Sequence, residues 1–266
     1  MTAVLADRPE TLDEDGFYAA ARAFVSTGIA VFPPTDETRA WAAAALAVSY
    51  QIARRRDRFR SRAGGTWVEG YVGPDDGLTP FRGAAVAFLE RALGSGPLQF
   101  DRAQLSVVLH GHPRGEDWHV RHQTRHIDGA AAADRLMLHP AVCGVLLTDL
   151  DGPDRGNPIA WEGSHHVTAA QLRRIAPAGE IAAVAAAIQA GLPVDERLCP
   201  PRMLVAKAGT AFIYHQGLQH GMAPYGGPAG AAPRPVVYFR PGRAENDPRH
   251  VIDPLGAWPG LVAATG

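Results

Sequence analysis

From about residue 98 onward the chain is cut into short β-rich runs by clusters of Gly, Pro and Asp. The runs are "FDRAQLSVVLHG", "VCGVLLTDL", "NPIAWEG", "PRMLVAKAGTAFIYH" and "RPVVYFRP". Strands this short, joined by turns rather than by regular helical crossovers, predict an antiparallel sandwich or barrel instead of alternating βαβ units. The supply of turn formers, 29 Gly and 22 Pro, suits many strand ends. One helical insertion interrupts the pattern between "GSHH" and "PRMLV". Its start reads as a capping box, Thr168 to Gln171, and it continues through "GEIAAVAAAIQAG".

The first third reads differently. Residues 11–26 have helical apolar spacing behind a possible capping box, Thr11 to Glu14. "GIAVFPP" (28–34) reads as a buried strand stopped by two prolines. From Thr35 to about Phe59 acidic residues come first and arginines last, as a helix dipole favours. Residues 80–93 form another amphipathic helix, opened by Pro80. The expected architecture is a single domain over residues 1–266, with a helical part (about 1–97) packed outside a mainly β, double-stranded core (about 98–243). The arginine run "RRRDRFRSR" (54–62) reads as a solvated helix end.

Composition narrows the function classes. A formal net charge of −1 gives no long-range reason for a nucleic-acid or anionic-membrane partner. No stretch approaches the roughly 20 apolar residues that span a bilayer, and "MTAVLADRPETLDED" lacks the order of a signal peptide. Two cysteines, Cys143 and Cys199, make a disulfide framework improbable and suit a cytoplasmic setting.

The chemistry concentrates near "DWHVRHQTRHIDGA" (117–130). His126 and Asp128 stand two residues apart, so on extended backbone both project to one face and can reach one ion. A second imidazole must come from elsewhere. Two histidines and one carboxylate on one coordination face form the facial triad of non-haem Fe(II) oxygenases, which leaves three positions open. Two candidates follow, His215 and His220. They are five apart and would face opposite sides of a regular strand; the position directly before "GMAP" favours His220. Beyond a Gly/Pro-rich turn lies Arg234. If the two strands are antiparallel neighbours, the turn brings it beside His220, where a guanidinium could grip a carboxylate.

The ordered set "HID", "GNPIAWEGSHH" and "HQGLQHGMAP…RPVVYFR" resembles the phytanoyl-CoA dioxygenase family of Fe(II)- and 2-oxoglutarate-dependent oxygenases, over roughly residues 98–243. The resemblance implies a double-stranded β-helix, a jelly-roll relative. It implies His126, Asp128 and His220 as iron ligands, Arg234 on the distal carboxylate of 2-oxoglutarate, and O2 as oxidant. The implied reaction is oxidation, most simply hydroxylation, of an unactivated C–H bond in a small molecule such as an amino acid or natural-product intermediate. Asp128 stands where related halogenases carry a small residue, which argues for hydroxylation. The chain departs from the family pattern at Glu162, where many members have proline, at Arg121 within "WHVR", and at Met222. Nothing in it specifies a CoA thioester or a carrier protein.

Further residues complete the expected site. Gln104, Ser106, Val108 and His110 share one face of a strand, where related oxygenases hold the co-substrate with polar residues, and Thr148 is a similar candidate. Trp118, His122 and Trp161 are candidate substrate contacts by position, and Trp67 and Tyr71 candidate lid residues. Arg240, six residues past Arg234 and on the same face, is a rim residue or an alternative anchor. Glu162, His165 and His166 form a rival cluster that would make a zinc hydrolase, although a glycine interrupts the helix that Glu-x-x-His needs. A non-catalytic metal-binding jelly roll would use the same ligands without needing Arg234.

Overall fold

A computed structural model describes residues 12–53, 59–62, 67–98, 103–109, 125–132, 135–226, 232–241, 244–245 and 247–265. Its largest element is a seven-stranded antiparallel sheet. In spatial order the strands are β1 (Ile29–Phe32), β10 (Ala211–His215), β7 (Ala141–Leu146), β12 (Arg234–Phe239), β4 (Ala103–Val108), β3 (Trp67–Val72) and β2 (Phe59–Arg62). A smaller sheet, β11 (His220–Met222), β8 (Pro158–Trp161) and β9 (Pro201–Met203), packs across it. A third sheet joins β13 (Ala244–Glu245), β6 (Arg135–Leu138) and β5 (Ala130–Ala132). The core is a double-stranded β-helix, the fold that the resemblance implies and one form of the antiparallel sandwich or barrel that the run-and-turn pattern predicts.

Strand alternation sorts the large sheet into two faces. Val237, Phe239, Leu105, Val107, Ile213 and Val145 pack outward. They meet helices α1 (Glu14–Thr27), α2 (Asp36–Ala53) and α3 (Ala84–Leu93), where Phe17, Phe24, Trp41, Phe88 and Leu89 fill the layer. Val236, Tyr238, Val108, Phe212, Tyr214 and Leu146 face inward, toward Ala160 and Met222 of the small sheet. Helices α4 (Ser164–Ile175) and α5 (Ile181–Ala190) cover the third sheet. Two short C-terminal helices follow, α6 (Arg249–Ile252) and α7 (Pro259–Thr265).

Two glycines shape this packing. Gly144 faces inward on β7, and the Phe212 ring occupies the space a Cβ would need. Gly28 ends α1 at φ 81°, and a side chain there would strike Leu218 and His165.

Several local expectations are corrected. The α1 cap is Asp13, whose carboxylate accepts from the Gly16 N–H at 2.7 Å, so Glu14 begins the helix instead of closing a box with Thr11. Helix α3 starts at Ala84 behind an N-cap at Gly83, after Pro80, and α4 starts at Ser164, so Thr168 is a buried interior residue of the helix. The part expected to be helical before residue 98 contributes, besides the expected strand β1, β2 and β3 to the large sheet. Phe59–Arg62 is therefore a strand rather than a helix end, and Trp67 and Tyr71 belong to a strand rather than a lid. Most consequential, β11 and β12 are not a hairpin. The first pairs with β8 in the small sheet, the second with β4 and β7 in the large one. The Gly/Pro-rich connection therefore crosses between sheets, and Arg234 looks at His220's side of the interior from the opposite wall.

Candidate metal centre

His126 is anchored by its main chain. Its N–H donates to the His220 carbonyl at 2.9 Å and the His220 N–H returns the bond at 3.0 Å, an isolated antiparallel bridge outside the named strands. Two residues on, Asp128 projects to the same side, as the spacing predicts. Asp128 Oδ1 lies 3.4 Å from His126 Nε2 and 3.8 Å from His220 Nε2, and the two imidazole centroids are 4.5 Å apart. Among the described residues these three form a group whose ligand atoms all lie within 4.8 Å of one another. Cis ligands bound at about 2.1 Å to one ion stand roughly 3 Å apart, so a small contraction would close the group on a metal.

The tautomer of His220 suits that role. Its Nδ1 is 3.0 Å from the Leu218 carbonyl, which accepts the Nδ1–H and leaves the Nε2 lone pair turned to Asp128. Asp128 is held ionised. Burial alone would push its carboxyl up, but the positive charge of Arg240, with the two neighbouring imidazoles, outweighs burial and keeps it well below the usual carboxylate range. The side chain of His126 is 40% exposed and that of His220 only 9%, so the group opens on the His126 side.

Arg234 begins β12 opposite Val108, two residues before inward-facing Val236, and is half-buried. Its guanidinium lies 5.4 Å from the centre of the Tyr225 ring, and its Nε is buried with no hydrogen-bond partner among the described residues. A buried donor left unsatisfied is costly, so a carboxylate delivered from outside fits this position. Thr148 is half-buried just past β7 and precedes Asp149. The Asp149 carboxyl is held below its ordinary value chiefly by the Ala208 N–H and Lys207, and more weakly by Arg234. Gln104 faces inward opposite Tyr238 and donates to Glu69 Oε2 at 3.0 Å; Ser106, on the same face, is buried.

Other expected residues fall elsewhere. His110, Trp118 and His122 lie outside the described residues. Trp161 is fully buried on the outer face of the small sheet with Ile159 and Cys199, and its Nε1–H donates to Glu196 at 3.0 Å. It neighbours Ala160 in sequence, and Ala160 is the residue paired with His220, so alternation turns the indole away from the candidate ligands. The expected substrate contact at Trp161 is thus corrected to a packing role. The rival zinc cluster is not assembled: Glu162 accepts from Arg202 at 2.8 Å, while His165 and His166 both turn Nε2 to the Val25 carbonyl. His215 points outward, its Nε2–H bonded to the Pro254 carbonyl at 2.7 Å. The residue that sequence reasoning misplaced is Arg240, which reaches Asp128 instead of the rim.

No protein-family model matches the chain, and no curated protein matches it in sequence. Solved structures do match. The non-heme alpha ketoglutarate dependent epimerase SnoN from nogalamycin biosynthesis is 16% identical with a TM-score of 0.52, over 85% of this chain and 82% of that one. SnoN has also been crystallised with Fe3+, alpha ketoglutarate and nogalamycin RO. AviO1 from Streptomyces viridochromogenes Tue57 is 15% identical with a TM-score of 0.52, over 87% of this chain and 96% of that one. At these identities the likeness establishes the fold: the chain is built on the same double-stranded β-helix as these proteins.

Proposed function

We propose that this protein is an Fe(II)- and 2-oxoglutarate-dependent dioxygenase that oxidises, in the simplest case hydroxylates, a C–H bond of a small molecule. One observation carries the reading. His126 Nε2, Asp128 Oδ1 and His220 Nε2 converge on one point, with Arg234 and its unsatisfied Nε on the facing sheet. The first three would hold the iron, leaving three coordination positions open. Arg234 would bind the distal carboxylate of 2-oxoglutarate. When bound, the iron and 2-oxoglutarate supply the O2 chemistry, with succinate and carbon dioxide as co-products.

The chain's own part is orientation and exclusion of water. The Leu218 carbonyl fixes the His220 tautomer, and the main-chain bridge sets His126 against His220. Phe212, Tyr214 and Met222 make an apolar floor between the sheets. The substrate would approach from the exposed His126 side. A small-molecule substrate is supported by the fold likeness to SnoN, whose crystal complex holds nogalamycin RO. SnoN is an epimerase, so hydroxylation here is an assignment from the Asp128-bearing motif. Among the described residues no helix is long and apolar enough to cross a membrane.

The test is an anaerobic visible titration of metal-free protein with Fe(II) and then 2-oxoglutarate. The expected result is a charge-transfer band that needs both additions, is absent in Asp128→Ala and is weakened in Arg234→Ala. Absence of the band in the unaltered protein, with zinc retained through purification, would instead support a metal-binding or hydrolytic jelly roll. Product analysis with candidate substrates then separates hydroxylation from epimerisation.

A further inference from the structure

Only one oxygen of Asp128 is turned toward the histidines. Oδ1 faces His126 and His220, whereas Oδ2 accepts a hydrogen bond from Arg240 Nη2 at 2.9 Å. The pair is well shielded, with side-chain exposures of 19% for Arg240 and 12% for Asp128. Strand β12 therefore presents two arginines to the interior, in different states. Arg234 enters the strand with a buried, unpartnered Nε, and Arg240 follows its end with its guanidinium on a candidate ligand.

A carboxylate with both oxygens available can chelate an ion and fill two coordination positions. One whose second oxygen is held by a guanidinium offers a single ligand atom. We propose that Arg240 is a positioning residue for Asp128: by holding Oδ2 it confines Asp128 to one-oxygen ligation through Oδ1 and keeps a coordination position open for the reactants. Arg240 is committed to Asp128, whereas Arg234 keeps a buried Nε without a partner, which favours Arg234 as the co-substrate anchor. The inference rests on reading His126, Asp128 and His220 as metal ligands.

Co(II) is a suitable probe, because its visible d–d bands change in position and intensity with coordination number. Unaltered protein, Arg240→Met, Arg240→Lys and Arg234→Met would be titrated with Co(II), then with 2-oxoglutarate. Loss of an outer hydrogen bond to a ligand commonly weakens metal binding by about 10–100-fold, and that is the expected loss for Arg240→Met. Its d–d bands should weaken as the released carboxylate chelates, and Arg240→Lys should recover part of both signals. Arg234→Met should keep the Co(II) affinity and spectrum of the unaltered protein and lose the response to 2-oxoglutarate. Unchanged Co(II) affinity and bands in Arg240→Met, even with a lowered melting temperature, would make Arg240 a structural partner and overturn the proposal. If Arg240→Met does not fold, Arg240→Lys and Arg240→Gln decide on the same readouts. Failure of the unaltered protein to bind Co(II) would remove the metal reading itself, and the proposal with it.

Discussion

His126 and His220 stand with ring centroids 4.5 Å apart; His165 lies 3.9 Å from His166 and 4.9 Å from His215 by the same measure. Both groups bring imidazoles together between packed elements, yet the chemistry open to them differs. In the first, the Nε2 atoms converge beside a carboxylate. In the second, the Nε2 atoms are spent on the carbonyls of Val25 and Pro254, and His215 Nδ1 accepts the Gly217 N–H. Burial also favours the neutral form of His165 and His215, lowering the first to about 2 and the second to about 4. Imidazoles in a cluster are not yet a metal site. What decides is whether the main chain consumes their lone-pair and N–H positions or leaves one nitrogen of each pointing at a shared carboxylate.

The contrast can be broken by substitution. Asp128→Ala or His220→Ala should cut Co(II) affinity by at least about 100-fold while the fold persists, read by titration and circular dichroism. His215→Ala should do the reverse. It should leave Co(II) affinity unchanged and cost about 3 kcal/mol of stability in urea denaturation, because it empties a fully buried ring site beside Phe24 and Trp258. Equal effects on metal binding from both groups would erase the distinction.

Acid sharpens it. Unfolded histidine takes up a proton near 6.5, whereas folded His215 does so near 4 and His165 near 2. Between about pH 6.5 and 4 the unfolded chain therefore binds more protons, and stability falls as pH falls. Each of the two contributes a slope of up to about 1.4 kcal/mol per pH unit. Urea midpoints measured at about pH 7, 6 and 5 should show this, and His215→Phe should flatten it; an unchanged slope would contradict the assignment. Between the two groups lies the packed interior. Gly144→Ala drives a methyl into the Phe212 ring and should cost about 1–3 kcal/mol by overpacking, a loss that Phe212→Leu should partly relieve. The smallest effect is expected far from both: Asp13→Ala removes the α1 cap, costs about 1 kcal/mol, and should alter neither metal binding nor the acid slope.

How far the sequence revealed this arrangement depended on the range of the signal. The short runs after residue 98 became β4, β7, β8, β10 and β12, because local strand propensity and turn residues agree there. The i, i+2 spacing of His126 and Asp128 needed only extended backbone to put both side chains on one face. His215 and His220 were ranked by position, the latter directly before "GMAP"; they end and begin two strands of different sheets, His215 turned to the helices and His220 to the space between sheets. Signals that depend on distant partners were lost. Phe59–Arg62 is too rich in arginine to read as a strand, and is one because β3 offers it an edge. "WEGSHH" hid a helix start, since α4 begins at Ser164 behind a left-handed glycine at 163 and has no side-chain cap to announce it. The turn after His220 resembled a hairpin, and only the pairing of β12 with β4 and β7 shows that it crosses the sandwich. Arg234 and Arg240 have the same residue type and strand face, so their different partners were invisible until Asp128 was placed.

The reciprocal bonds between His126 and His220 have one last implication. Among the described residues they fasten the segment carrying Asp128 to β11 with two main-chain links, across a long stretch of intervening chain. An ion gripped by both imidazoles and the carboxylate would act there as a reversible cross-link. A covalent tie closing a loop of on the order of a hundred residues is worth about 4.7 kcal/mol through the unfolded state. On the proposed function, bound metal would therefore bear on stability as well as on chemistry, and metal-loaded protein should resist proteolysis around His126 better than metal-free protein.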